Sequence, residues 1–224
     1  MTVMDKIGTT ILFSEMRPGA AWEDRFNTWY HEDHIPVRMV LDGWQGVQRY
    51  KARGDDDYLV VYDLASPAAL KTPEYDVVKT RPSAETNWML QNVTNFTRFI
   101  GAELGRHGDV EAAIGAPVIF AALFNVPETD CEEFDAWMTQ DHVPLLLQCP
   151  QWLAVRRFKL PVAEPVPYTR LSLHYLSSDA ALTSPERDRA RSTEWRKRMT
   201  RHDWFNTGRA RAFDAFGSRY HAVR

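Results

Sequence analysis

Between Phe26 and Val40, apolar side chains recur three and four positions apart with charged residues between them. That spacing predicts a helix with one buried stripe. Period-two runs flank it. "KIGTTILFSEM" precedes the helix. "VQRYKAR" and "DYLVVYDL" follow, separated by the turn-rich "GDDD". A broken helical region comes next, "SPAALKTPEYDVVKTRPSAETNWMLQNV", with Ser66 as N-cap before Pro67. "NFTRFIGAEL" closes the series.

The whole series then returns. "FNTWYHEDHIPVRMVLDGWQGVQRYK" aligns without a gap on "FDAWMTQDHVPLLLQCPQWLAVRRFK". Phe26, Trp29, Asp33, His34, Pro36, Trp44 and Arg49 meet the same residue types at Phe134, Trp137, Asp141, His142, Pro144, Trp152 and Arg157. Each copy reads strand, helix, strand, strand, helix, strand. The predicted fold class is α+β: two ferredoxin-like βαββαβ units in tandem, their sheets facing to form an α/β barrel with helices outside. The predicted division is residues 1–104, a Gly-rich linker at 105–116, and 117–224. Alternation along the third strand predicts Leu59 and Val61 on the helix-packing face. Tyr58, Val60 and Tyr62, matched by Arg170, Ser172 and His174, are then expected to face the space between the sheets.

Composition narrows the functions. The 224 residues carry a formal net charge of −3, so there is no basic footprint for nucleic acid. No apolar run approaches a membrane span. "MTVMDKIGTTILF" lacks the basic start and apolar run of a signal peptide. Cys131 and Cys149 flank a predicted helix that would hold them about 27 Å apart, too far for a disulfide. A cytoplasmic protein is expected, with a small molecule as its partner and a homodimer as one assembly the fold allows.

The repeated helix carries the candidate chemistry. Asp33 falls in the middle of the apolar stripe and calls for a partner; Arg49, on the following strand, is the candidate. The pair reads either as a pin between helix and sheet or as a carboxylate clamp or general base. His34 lies at the edge of the stripe, two residues before Pro36, which interrupts the helix there. "HEDH" is not the HExxH zinc motif, so no metal is predicted. No phosphate loop or nucleophile elbow occurs, and no cofactor is predicted.

The helix, the "DGW" turn and the strand after it resemble the EthD-like branch of the dimeric α/β-barrel superfamily, here as a tandem fusion. That resemblance implies enzymes ranging from cofactor-free decarboxylases, dehydratases, cyclases and isomerases to cofactor-free monooxygenases and haem enzymes. The leading expectation is a cofactor-independent lyase or isomerase of a small aromatic or polyketide-like compound. An oxygenase, cofactor-free or haem-dependent, and a non-catalytic binding protein are the alternatives. His34 is the expected acid/base. Tyr62 or Tyr75 would hold a developing oxyanion, with His174 as a partner acid. Trp29, His31, Arg49, Tyr58 and His142 are expected to bind substrate.

Overall fold

The computed structural model describes residues 7–222. The first residues of the segments read as a signal-peptide test and as the first strand lie outside it, as do the outermost ends of the two predicted domains. Eight strands are present among the described residues: β1 (Thr10–Met16), β2 (Trp44–Ala52), β3 (Tyr58–Leu64), β4 (Arg98–Gly108), β5 (Val118–Phe124), β6 (Trp152–Glu164), β7 (Arg170–Leu176) and β8 (Arg209–His221). They are hydrogen-bonded in the order β1-β3-β2-β8-β5-β7-β6-β4, which closes into a barrel. The architecture is therefore α+β, as predicted.

Two compact units divide the chain. One is Met1–Ala102 with Phe216–Arg224; the other is Glu103–Ala215. β4 and β8 each run from one unit into the other. Residues 105–116, expected as a linker, hold the end of β4 and a helical turn at Val110–Ala113.

In the first unit β1 and β3 pair from Thr10 opposite Leu64 to Met16 opposite Tyr58. β2 pairs with the other edge of β3, with a register irregularity between Trp44 and Gly46. The second unit repeats this: β5 pairs with β7, and β6 with β7, with the same irregularity between Trp152 and Ala154.

Every residue of β3 is buried, on both faces. The face carrying Tyr58, Val60 and Tyr62 packs on the helices with Phe26, Trp29 and Tyr30. This corrects the expected orientation, which assigned Leu59 and Val61 to the helices. A strand dry on both sides has no polar side to betray its facing.

The repeated helix runs Glu23–Trp29, then a π-helical turn over Tyr30–His34, then Pro36–Met39. The Ile35 N–H donates to the Tyr30 carbonyl, five residues back, at 3.0 Å. Pro36 has no N–H with which to continue the normal ladder, and the extra residue is taken up in the wide turn. The second copy does the same over Met138–His142 before Pro144. Further helices at Pro73–Thr80 and Ala84–Asn92 are N-capped by Thr72 and Ser83 side chains, the second copy's by Ser184 and Thr193. Each such cap contributes about 1 kcal/mol.

Candidate active site

A cavity of about 170 Å³ lies between the sheet and helices of the first unit, lined by Tyr30, His34, Arg38, Tyr62, Tyr75 and Arg98 among others. The π turn delivers Tyr30 and His34, β3 delivers Tyr62, the capped helix at Pro73 delivers Tyr75, and β4 delivers Arg98. Among the described residues, no aspartate or glutamate lines it.

His34 is only 5% exposed. Its ring packs on Trp29 and Tyr30, with centroids 4.3 and 4.8 Å away. Its Nδ1 is buried and has no hydrogen-bond partner among the described residues. Burial, helped by the charges of Arg38 and Arg49, holds the imidazole well below its ordinary pKa, so it is neutral. The Tyr62 hydroxyl is likewise buried without a partner, and burial raises its pKa, so it keeps its proton. Burial pushes Tyr30 up to about 12. Arg38 Nη1 donates to the His34 carbonyl at 2.8 Å, and Arg98 Nη2 donates to Tyr75 Oη at 3.4 Å. Arg38 and Arg98 were not among the sequence candidates. Arg38 stood one helical turn beyond His34 and could have been found; Arg98 comes from a distant strand.

Other predicted site residues stand elsewhere. Trp29 backs His34 and donates from Nε1 to Thr86 Oγ1 at 3.0 Å. Arg49, His31 and Tyr58 form a separate cluster. Arg49 donates to Asn27 Oδ1 at 2.7 Å and from Nη1 to His31 Nε2 at 3.2 Å. The His31 Nδ1–H then donates to Tyr220 Oη at 2.5 Å. Tyr58 donates to Glu23 Oε1 at 2.6 Å. None of these three lines the His34 cavity.

The expected Asp33–Arg49 ion pair is not formed. Asp33 Oδ2 accepts from Thr86 Oγ1 at 3.1 Å and from Ser83 Oγ at 3.2 Å. Asp141 accepts from Thr193 Oγ1 at 2.7 Å, while Arg157 donates to the Asp135 carbonyl. The two helical layers take the carboxylate before the strand can.

His142 and His174 line a cavity of the second unit. His142 stacks on Trp137 at 4.5 Å and donates from Nδ1 to the Ala190 carbonyl at 3.2 Å. Trp152 Nε1 donates to His174 Nδ1 at 3.1 Å, so the proton sits on Nε2, which donates to Ser172 Oγ at 2.9 Å. Burial pushes these imidazoles down to about 4 and about 3. His174 is bonded within its own unit, to Trp152 and Ser172, and lines the second-unit cavity, whereas Tyr62 lines the first-unit cavity.

No cluster of three or more His, Cys, Asp or Glu suited to a metal occurs among the described residues. No described helix is long and apolar enough to cross a membrane.

No protein-family profile matches the chain. No curated protein matches its sequence. Solved structures do match its fold. An anthrone oxidase-like protein superposes with a TM-score of 0.70 at 12% identity, covering 99% of this chain and 97% of its own. A protein provisionally named a monooxygenase, from Fusobacterium nucleatum subsp. nucleatum, gives 0.61 at 9% identity, covering 97% and 98%. A variant chlorite dismutase of Candidatus Nitrospira defluvii, in complex with cyanide, gives 0.59 at 9% identity, covering 93% and 90%. At these identities the likeness is one of fold, that of the ferredoxin-like α/β barrel.

Proposed function

We propose that the chain is an oxygenase that oxidises a small aromatic compound in the first-unit cavity without a bound cofactor. One observation carries the reading: two buried polar groups without partners, His34 Nδ1 and Tyr62 Oη, belong to residues lining the same apolar, cationic cavity. A buried polar group left unpaired costs about 1–3 kcal/mol, which a polar substrate would offset. The names of the structural neighbours, an oxidase-like protein and a monooxygenase, support the same chemistry. They also correct the expectation of a lyase or isomerase, which none of these neighbours' names supports. The helix motif continues to favour the EthD-like branch.

Haem was the other route to oxygenation. A cavity of about 170 Å³ is comparable to one that accepts a benzene ring. That volume is smaller than a macrocycle of four linked pyrroles, and on size alone haem is not assigned to this cavity.

The chain's own residues account for the following sequence. Neutral His34 takes a proton from an acidic methylene or enol of the substrate. Arg38 and Arg98 favour the resulting anion in a medium of low dielectric, and Tyr62 donates to its oxygen. The anion passes one electron to dioxygen, and the radicals join in a new C–O bond. The peroxide recovers the proton from His34 and loses water. A CH₂ and one O₂ thus become a carbonyl and one H₂O. Both cysteines are free, and we place the protein in the reducing cytoplasm.

The test is oxygen uptake by metal-free, haem-free protein. The substrates are one- and two-ring hydroquinones and enolisable aryl ketones. Uptake matched by a carbonyl product and abolished in His34→Ala supports the reading. A Soret band in active protein, or no uptake across the series, overturns it.

A further inference from the structure

The second unit holds its own cavity of about 170 Å³ between sheet and helices, and the chemistry of its walls has diverged from the first. The helix caps fix the correspondence. The Tyr75 N–H bonds to the Thr72 hydroxyl as the Arg187 N–H bonds to the Ser184 hydroxyl. The Thr86 N–H bonds to Ser83 as the Arg196 N–H bonds to Thr193. A phenol and a hydroxyl in one copy are therefore guanidiniums in the other.

Arg187, Arg191 and Arg196 all line this second cavity, and among the described residues no aspartate or glutamate does. Arg187 donates to the Leu182 carbonyl at 2.6 Å, a neutral acceptor. Arg196 lies 4.1 Å from the Phe205 ring centroid, and its Nη1 is buried without a partner. Burial, with the like charges of Arg191 and Arg187, pushes Arg196 down to about 10. The three cations repel one another, with Asp188 acting on Arg187 as a countercharge from outside the cavity wall, and an anion among them would relieve that repulsion. The rest of the wall is aromatic: Phe120, Phe124, Trp137 and Phe205.

We infer that this cavity is a binding site for a small aromatic carboxylate, its ring against Phe120, Phe124 and Trp137 and its carboxylate on Arg187, Arg191 and Arg196. Guanidinium forks match a carboxylate in shape as well as charge. The site is independent of the oxygenase reading.

The experiment titrates benzoate into the full chain at neutral pH, followed by calorimetry and tryptophan fluorescence. The expected Kd is below about 1 mM. Benzamide, which lacks the charge, and acetate, which lacks the ring, should each bind at least about ten-fold more weakly, as should benzoate to Arg196→Gln and Arg191→Gln. Arg191 is exposed, so its variant keeps the test valid if Arg196→Gln does not fold. Arg38→Gln, in the other cavity, should bind benzoate as the wild type does. Benzamide or acetate matching benzoate, Arg191→Gln matching wild type, weakening in Arg38→Gln alone, or no saturable binding below about 1 mM overturns the assignment.

Discussion

Thr86 donates a 3.1 Å hydrogen bond to Asp33, and this contact ties the π turn bearing His34 to the second helical layer. Ser83 also donates to Asp33, at 3.2 Å, and its counterpart Thr193 donates to Asp141 at 2.7 Å. In both copies the carboxylate in the apolar stripe serves the helices rather than the strand arginine.

Asp33→Ala should accordingly cost about 1.5–3 kcal/mol, the worth of hydroxyl bonds to a charged acceptor, rather than the larger loss of breaking a buried ion pair. Urea unfolding of Asp33→Ala and Asp33→Asn measures it. A loss of 4 kcal/mol or more, by the reckoning for buried pairs, would restore the ion-pair reading.

His34→Ala should lower turnover by about 10²-fold or more, the size expected for a lost general base. His142, bonded to Ala190, should contribute mainly stability. Steady-state rates on the oxidised substrate, with melting temperatures beside them, separate the two. Equal loss of activity in both variants would mean two working sites.

Tyr62→Phe removes a buried hydroxyl that has no partner. Stability should stay level or rise, since an unpaired group is lost. Turnover should fall by about 10²-fold if the phenol stabilises developing charge. A variant that is less stable and fully active would show the hydroxyl to be structural.

Stability should also fall with acid through His174. Its folded pKa, about 3, lies below the unfolded value of about 6.5. Between those values the unfolded chain binds the extra proton, so stability is whole above pH 6.5 or so and is lost as pH drops. The slope is about 1.4 kcal/mol per pH unit, or about 2 kcal/mol between pH 6.5 and 5. Unfolding free energies of wild type and His174→Gln across that range test this. Parallel pH curves would show that His174 is not the group responsible.

The order of elements, the tandem repeat and the interruption at Pro36 and Pro144 were all legible in the sequence, because they rest on local periodicity and on a missing N–H. His34 beside a cavity was legible for the same reason. The facing of β3 was not. Tyr58, Val60 and Tyr62 are as buried as Leu59 and Val61, and alternation informs only when one side is wet. Nor could spacing choose between Arg49 and the Ser83–Thr86 hydroxyls for Asp33. That choice depends on the rotation imposed by the π turn and on which layer reaches the carboxylate first. Arg98, brought from β4 to Tyr75, belongs to the cavity by tertiary structure alone. Chain segments so far apart in sequence meet only when the sheet pairs.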